Sequence, residues 1–289
     1  MTNAASPQAG NADQIEYWNA SAGNTWATMS DRLDKMIGPV GKAAMAALAP
    51  GQGEKIIDIG CGCGQTTLEL ARRVGTGGQI VGVDISTPML EVARTRAAQG
   101  GLEQVQFLEA DAQVFAFEAG AADAVFSRFG VMFFADPVAA FTNIRAALAP
   151  HGRLAFCCWR AMSDNPIMTL PMAAALPLLP EAPPPPDPIA PGPFAFADRD
   201  RLAGILSAAG FHDIRITPYD QGLTSGDLEE TIDTSMRIGP LGRLLNERPD
   251  LRESVVDAVR KALVPYQTDT GVYLDSATWI VTARKEPAA

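Results

Sequence analysis

The sequence has little histidine, little cysteine and no Cys-x-x-Cys spacing. Two of its 289 residues are histidine and four are cysteine. The cysteines form one Cys-x-Cys and one Cys-Cys pair, at Cys61, Cys63, Cys157 and Cys158. Zinc sites favour a Cys-x-x-Cys spacing with further cysteine or histidine ligands. The sequence therefore predicts no metal site, and we interpret the four cysteines as reduced thiols in a cytoplasmic protein.

Basic residues and long apolar runs are also scarce. There are 23 lysines and arginines against 33 acids, which gives a net charge of -10. A field of this sign repels phosphate backbones and anionic membrane surfaces, so we expect no nucleic-acid partner. The most apolar stretch, "IMTLPMAAALPLLP", is interrupted by Pro171 and Pro177. It is shorter than the ~20 residues that a bilayer-spanning helix needs, and we expect no membrane span.

Short apolar runs alternate with helical stretches between Glu54 and Trp159. This alternation predicts an α/β fold with a doubly wound parallel sheet. The pattern divides the chain into a flexible tail at 1–14, N-terminal helices at 15–50, the sheet core at 51–160, a proline-rich insertion at 161–197 and, at 198–289, the remainder of the same domain with a helical insertion at about 226–265.

The segment "KIIDIGCGCGQTTLELARRV" places three glycines between an apolar run and a helix. A helix that opens directly after a strand leaves free N–H groups at the turn, which suit an electron-rich ligand group. The dinucleotide fingerprint requires G-x-G-x-x-G after an apolar strand end, and this turn has a different spacing. Asp58 at the end of the strand disfavours a pyrophosphate and can accept hydrogen bonds from an ammonium group. The turn thus argues against a nicotinamide oxidoreductase and predicts a ligand with a positive amino group.

This turn, together with "VGVDIS" and "FLEADAQVF", resembles the motifs of the class I S-adenosylmethionine-dependent methyltransferases. The resemblance covers about Trp18 to Trp159 and the closing strands. The local sequence around these motifs is similar to that of the quinone-type, small-molecule branch of the family. It implies a Rossmann-like, seven-stranded sheet in the order 3-2-1-4-5-7-6 with strand 7 antiparallel. It also implies S-adenosyl-L-methionine as cofactor, and a lid made by the N-terminal helices and a segment inserted after the fifth or sixth strand.

The resemblance assigns a role to three carboxylates. It places Asp58 near the amino group of the cofactor, Asp84 on the ribose hydroxyls and Asp111 on the adenine amino group. Taken singly, Asp84 and Asp111 could equally be helix N-caps or turn residues. The complete set of predicted cofactor-binding residues is Asp58, Gly60, Cys61, Gly62, Gly64, Thr66, Asp84, Ile85, Met89, Asp111, Ala112 and Ser127.

Methyl transfer depends mainly on positioning, which can supply about 7–11 kcal/mol of barrier reduction, so a strong general base is optional. We interpret both His151 and His212 as structural. Ligands of open α/β sheets bind at the carboxyl ends of the strands. The candidates for the acceptor site are Tyr17, Trp18, Trp26, Arg128, Phe129, Met132, Phe133, Trp159, Arg160 and Asn165. The aromatic residues could instead serve packing, and Arg128 needs an anionic partner, either the acceptor or an acid such as Asp136.

The sequence thus predicts an enzyme that transfers a methyl group to a small organic acceptor, apolar or aromatic with a polar handle. The alternative is an enzyme that uses the cofactor for other chemistry, or a non-catalytic cofactor-binding regulator. The sequence does not identify the atom of the acceptor that is methylated. A homodimer is possible from the sequence, because the proline-rich loop and the helices near the C-terminus could form either a lid or an interface.

Overall fold

A computed structural model describes residues 11–179 and 187–285 of the chain. The helices are α1 (Ala12–Asn19), α2 (Ser21–Thr28), α3 (Ser30–Leu48), α4 (Gln65–Val74), α5 (Thr87–Gln99), α6 (Pro137–Ala147), α7 (Pro166–Ala175), α8 (Arg199–Ala208), α9 (Leu228–Arg237), α10 (Gly239–Glu247) and α11 (Arg252–Leu263). The strands are β1 (Lys55–Ile59), β2 (Gln79–Asp84), β3 (Val105–Glu109), β4 (Ala122–Arg128), β5 (Leu148–Trp159), β6 (Phe211–Thr224), β7 (Gln267–Thr268) and β8 (Gly271–Lys285).

Seven strands form the main sheet in the order β3-β2-β1-β4-β5-β8-β6, and the two-residue β7 pairs with the beginning of β8. Strands β1 to β5 are parallel, whereas β8 is antiparallel to both β5 and β6. The predicted order is confirmed, with β8 in the place of the predicted strand 7. The carboxyl ends of β1 to β5 therefore meet at one edge of the sheet, which we call the carboxyl edge.

The main core lies on both faces of this sheet. Ile56, Phe126 and Phe156 are buried in its central strands, and Phe141 on α6 packs against Phe156 with ring centroids 5.6 Å apart. Burial of a large apolar side chain contributes about 1.5–3 kcal/mol. The central strands are apolar on both faces because helices cover both, as is typical of parallel sheets.

A second apolar cluster is formed by α7, α9, α10 and α11 together with the beginning of β8. We call these four helices the helical cap. Helix α9 begins with a capping box, in which Asp227 accepts a hydrogen bond from the Glu230 N–H and the Glu230 carboxylate accepts one from the Asp227 N–H. Such a box satisfies two otherwise unpaired N–H groups. The cap follows β5 and β6 in the chain, where the resemblance implies a lid.

The chain is already helical from Ala12 onward, within the predicted flexible tail. The predicted tail at 1–14 is wrong for residues 11–14, because α1 begins at Ala12 and Asn11 is buried. Residues 1–10, and residues 180–186 of the predicted insertion, lie outside the described part of the chain. Within 11–179 and 187–285, no helix combines the length and the hydrophobicity that a membrane span requires.

Candidate active site

The glycine turn after β1 has a backbone that other residues rarely adopt. Gly60, Gly62 and Gly64 have φ angles of 66°, 53° and 82°. A Cβ on Gly60 would lie 2.6 Å from the Cα of Gly130, and one on Gly62 would lie 2.7 Å from the Cε of Met89. Glycine tolerates both the left-handed conformation and the close approach. The turn is thus a side-chain-free surface at the carboxyl edge.

Asp58 lies behind this turn and is fully buried. Its Oδ2 accepts hydrogen bonds from the hydroxyls of Thr66 and Thr67, both at 2.7 Å. Its Oδ1 has no partner among the described residues. Burial raises the pKa of Asp58 to about 6, against the opposing effect of the two hydroxyls and of Arg128. The carboxylate ties the first turn of α4 to the end of β1.

Asp84 connects the glycine turn to the end of β2. Its Oδ2 accepts a hydrogen bond from the Gly62 N–H at 2.7 Å, and its Oδ1 accepts one from the Ser86 N–H at 2.9 Å. Burial raises the pKa of Asp84. Each carboxylate oxygen has two lone pairs, so acceptor capacity remains for a ligand.

Asp111, two residues after β3, is held by the N-terminal segment. Its Oδ2 accepts the Asn11 N–H at 2.9 Å, and its Oδ1 accepts the Asn11 side-chain amide at 2.8 Å and the Gln113 N–H at 2.9 Å. Asn11 thus reaches a strand end that lies 100 residues away in sequence.

A cavity of about 280 Å³ extends along the carboxyl edge from the glycine turn to the helical cap. Most of the predicted cofactor-binding residues line it: Gly60, Cys61, Gly62, Asp84, Ile85, Met89, Asp111 and Ala112. The other four, Asp58, Gly64, Thr66 and Ser127, do not line the cavity. They shape the turn from behind, since Thr66 is bonded to Asp58 and the Ser127 hydroxyl accepts the Gly130 N–H at 3.2 Å.

Seven of the acceptor-site candidates also line the cavity: Trp18, Trp26, Arg128, Phe129, Met132, Phe133 and Trp159. The rings of Phe129 and Trp159 are stacked, with centroids 4.4 Å apart. Phe129 has a φ of 60°, and a non-glycine residue in this region stores about 1–3 kcal/mol of strain. Trp18 contacts both Trp26 and Phe133 edge to face. The Phe129–Trp159 stack and the group of Trp18, Trp26 and Phe133 therefore form two aromatic walls of the same cavity.

The remaining three candidates do not line the cavity, and their role at the acceptor site stays a prediction. Tyr17 is exposed on the outer side of α1. Arg160 pairs with Asp220 at 2.7 Å and lies over the ring of Trp279. Asn165 is fully buried. Its side chain accepts a hydrogen bond from the Ala277 N–H at 2.8 Å and donates one to the carbonyl of Ala161.

Arg128 has its anionic partner inside the protein. Its guanidinium donates to Asp34 Oδ1 and to Gln65 Oε1, each at 2.7 Å. Asp34 also accepts a hydrogen bond from Arg96 at 2.8 Å. The structural acid that pairs with Arg128 is therefore Asp34 and not Asp136, one of whose carboxylate oxygens caps α6 by accepting the Ala139 N–H. The charge of Arg128 is thus balanced by the Asp34 carboxylate on α3.

Neither histidine is near the cavity. His151 lies in the first residues of β5 and His212 near the beginning of β6, at the edge of the sheet opposite the carboxyl edge. Among the described residues, the cavity lining contains no histidine, lysine, tyrosine or glutamate. The titratable side chains that these residues do contribute to the lining are aspartates, cysteines and Arg128.

The comparisons with known proteins agree with this geometry. A family profile described as "Methyltransferase domain" matches residues 56–152. The O-methyltransferase cnsE of Penicillium expansum is 30% identical over 246 residues, which cover 83% of this chain and 80% of that protein. The chain belongs to the class I S-adenosylmethionine-dependent methyltransferases.

Other relatives match this methyltransferase over shorter stretches. Aklanonic acid methyltransferase DauC of Streptomyces sp. (strain C5) is 35% identical over 127 residues, 44% of this chain and 58% of DauC. The chain covers about half the length of the first curated relatives that it matches. The crystal structure of YcgJ from Bacillus subtilis has the same fold, with a TM-score of 0.57 and 17% identity over 88% of this chain and 99% of that one.

The residues of this methyltransferase fit its cofactor, a sulfonium nucleoside with an amino-acid tail. The side-chain-free turn leaves room for the ligand against the backbone, and Asp84 and Asp111 reach the cavity from successive strand ends. The unpartnered Oδ1 of Asp58 lies behind the turn, where a nearby ammonium group would offset its buried charge. Asp84 would hold the ribose, and Asp111 and Met89 the adenine.

Two residues that line the cavity and bond to predicted site residues, Asn11 and Asp34, were missed from the sequence. Asn11 carries no periodic signal, because it precedes the first helix in a polar stretch. Asp34 had a usable signal: it is four residues after Ser30 and three before Ile37, both on the buried face of α3. A carboxylate at a buried helix position implies a charged partner. The sequence pattern alone does not identify that partner as Arg128.

Proposed function

We propose that this protein transfers the methyl group of S-adenosylmethionine to a small organic acceptor bound beneath the helical cap. The observation that carries the proposal is one continuous cavity with two different ends. One end consists of the glycine turn and the carboxylates Asp84 and Asp111, and the other is formed by apolar residues of the cap. This arrangement holds a donor and an acceptor side by side.

When bound, S-adenosylmethionine would supply an electrophilic methyl group on its sulfonium. The acceptor would form a bond to that methyl carbon and lose a proton, while the electron pair of the broken C–S bond would remain on the sulfur of the leaving thioether. The chain's own residues bind and orient. Asp84 and Asp111 fix the nucleoside end, while the stacked Phe129 and Trp159 form a wall beside the acceptor space. The cap excludes water, which strengthens charge interactions inside the site. Positioning of this kind can supply about 7–11 kcal/mol.

The cavity also bears on the alternative, a cofactor-binding protein without methyl transfer. That alternative predicts a blocked or strongly polar acceptor space. Instead, the space beneath the cap is open and is lined by side chains such as Met168, Met172 and Leu274. The geometry thus supports transfer over simple cofactor sensing.

The test combines binding with turnover. We expect calorimetry to show tight binding of S-adenosylhomocysteine and none of NAD. We expect incubation with methyl-labelled S-adenosylmethionine and a panel of small neutral and charged acceptors to give a labelled product. Binding without any labelled product would favour the regulator, and absence of binding would overturn both.

We place the protein in the cytoplasm as part of this proposal. All four cysteines are free thiols and are buried, and burial raises the pKa of each of them. Thiols that persist unpaired suit a reducing compartment. A homodimer stays a prediction, which the elution volume of the full chain on size exclusion would check.

A further inference from the structure

Among the described residues that the cap and its adjoining strands contribute to the cavity, none carries a charge. Apolar side chains such as Met168, Met172 and Leu274 form most of this chamber, and its polar side chains are Ser225, Thr231, Thr234 and Ser235. An apolar chamber with a few polar groups binds an apolar ligand and orients it through those groups.

The polar groups of this chamber are four hydroxyls whose protons are already engaged. Ser235 donates to the carbonyl of Thr231 and Thr234 to the carbonyl of Glu230, each at 2.8 Å. Ser225 donates to the sulfur of Met36 at 3.0 Å, and Thr231 has a weak contact of 3.5 Å with the carbonyl of Gly226. A hydroxyl has one proton and two lone pairs. The Thr234 oxygen already accepts a hydrogen bond from the Arg32 guanidinium at 3.3 Å. Ser225 and Ser235 therefore offer lone pairs to a ligand, and the ligand must supply the proton.

The charges elsewhere in the cavity disfavour an anionic acceptor beneath the cap. Among the described residues, the cavity lining contains three carboxylates, Asp34, Asp84 and Asp111, and one guanidinium, Arg128. Arg128 is paired with Asp34 at 2.7 Å, and the side chains are 9% and 15% exposed. A carboxylate or phosphate of an acceptor bound beneath the cap would lose its hydration and would meet no unpaired cation among these residues, which is costly.

We propose that the acceptor is an uncharged, predominantly apolar molecule that donates a hydrogen bond, through a hydroxyl, to the oxygens of Ser225 and Ser235. This inference rests on the proposed function and narrows its substrate class. The aromatic walls formed by Trp26 and by the Phe129–Trp159 stack suit a planar ring frame. Carboxylic acids and phosphorylated compounds fall outside the class.

The test uses three probes on one ring frame: 1-naphthol, 1-methoxynaphthalene and 1-naphthoate. Each probe is titrated into the full chain saturated with S-adenosylhomocysteine. The affinity for S-adenosylhomocysteine is measured beforehand in a separate titration. We expect 1-naphthol to bind at least tenfold more tightly than either of the others. Tighter or equal binding of naphthoate, or binding of none of the three, would overturn the inference while the measured cofactor affinity leaves the proposed function standing. If S-adenosylhomocysteine itself does not bind, the proposed function fails first and this inference fails with it.

A variant tests the role of the hydroxyl oxygens. We expect Ser235→Ala to lower the preference for 1-naphthol over 1-methoxynaphthalene by about threefold or more, with no change in affinity for S-adenosylhomocysteine. Ser254→Ala is the matched control, because that residue lies on α11 of the same cap, is exposed and does not line the cavity. An unchanged preference in Ser235→Ala and in the double variant with Ser225→Ala would contradict the proposal. Thermal unfolding of each variant verifies that the cap is folded.

Discussion

Asn11 holds both carboxylate oxygens of Asp111, through its backbone N–H at 2.9 Å and its side-chain amide at 2.8 Å. The Asn11 side-chain oxygen in turn accepts the N–H of Ala135 at 2.6 Å. With the Gln113 N–H, three of the four lone-pair positions of Asp111 are used. The beginning of α1 thus occupies positions that the family resemblance assigns to the adenine of the cofactor.

The first prediction concerns this contact. Asn11→Ala removes the hydrogen bond from the side-chain amide to Asp111 and leaves the bond from the backbone N–H in place. A hydrogen bond to a charged group contributes about 1.5–3 kcal/mol, and the lone pair of Asp111 that this substitution frees becomes available to the adenine amino group. We expect Asn11→Ala to bind S-adenosylhomocysteine roughly tenfold more tightly, the equivalent of about 1.4 kcal/mol, and to unfold at a lower temperature. Calorimetry and thermal unfolding measure the two effects. Asn24→Ala, an exposed asparagine on α2 bonded to Ala20, is the control. Weaker binding by Asn11→Ala would show that Asn11 helps to hold the nucleoside.

The second prediction concerns Asp84. Its loss removes the carboxylate that would hold the ribose and also frees the Gly62 N–H. We expect Asp84→Ala to weaken S-adenosylhomocysteine binding at least tenfold in calorimetry. Asp123→Ala is the control, since that carboxylate also accepts a backbone N–H, from Lys55 at 2.8 Å, but at the opposite edge of the sheet. An unchanged affinity in Asp84→Ala would remove Asp84 from the site.

The third prediction concerns the pH dependence of stability at Asp58. Burial raises its pKa from 3.8 to about 6, so the folded state binds more protons than the unfolded state between these values. The contribution of Asp58 to the free energy of unfolding therefore falls as pH rises from about 4 to about 6, and then levels off. Asn at this position still accepts hydrogen bonds from Thr66 and Thr67. We expect the free energy of unfolding of Asp58→Asn, relative to that of the parent, to increase by up to about 3 kcal/mol as pH rises over this range.

Urea unfolding at pH 4.5, 5.5, 6.5 and 7.5 measures this difference. Asp198→Asn serves as the control, because Asp198 caps α8 at an exposed position. A stability difference between Asp58→Asn and the parent that stays constant across this range would contradict the prediction.

The fourth prediction compares a buried and a more exposed ion pair. The Arg128–Asp34 side chains are 9% and 15% exposed, and those of Arg32–Asp233 are 30% and 36% exposed. Arg128→Met leaves Asp34 paired with Arg96 at 2.8 Å but removes one hydrogen bond between charged groups, which contributes about 1.5–3 kcal/mol, whereas exposed pairs contribute about 0–1 kcal/mol. We expect Arg128→Met to lower the free energy of unfolding in urea by about 1–3 kcal/mol more than Arg32→Met. Equal losses would mean that water reaches Asp34 freely.

Much of the sheet and of the glycine turn could be predicted from the sequence, because both depend on neighbouring residues. The alternation of apolar runs and helices from Glu54 to Trp159 indicated the parallel strands, and "DIGCGCG" indicated the turn. The error at Asn11–Gln14 and the wrong partner for Arg128 have one cause. Both concern contacts between residues about 100 positions apart, which local patterns do not encode.

The sequence by itself determined the succession of strands and helices along the chain, the side-chain-free bend and the acids at the strand ends, since left-handed glycine geometry and strand periodicity are local properties. The order of the strands within the sheet was implied by the family resemblance. Only the tertiary structure decided which acids face the ligand and which face the protein. It turned Asp84 and Asp111 toward the cavity and Asp58 behind the turn, and it brought α1 onto Asp111 and the uncharged cap over the carboxyl edge. The physical reason is that burial, charge pairing and the shape of a cavity depend on the distances between elements, and packing alone sets those distances.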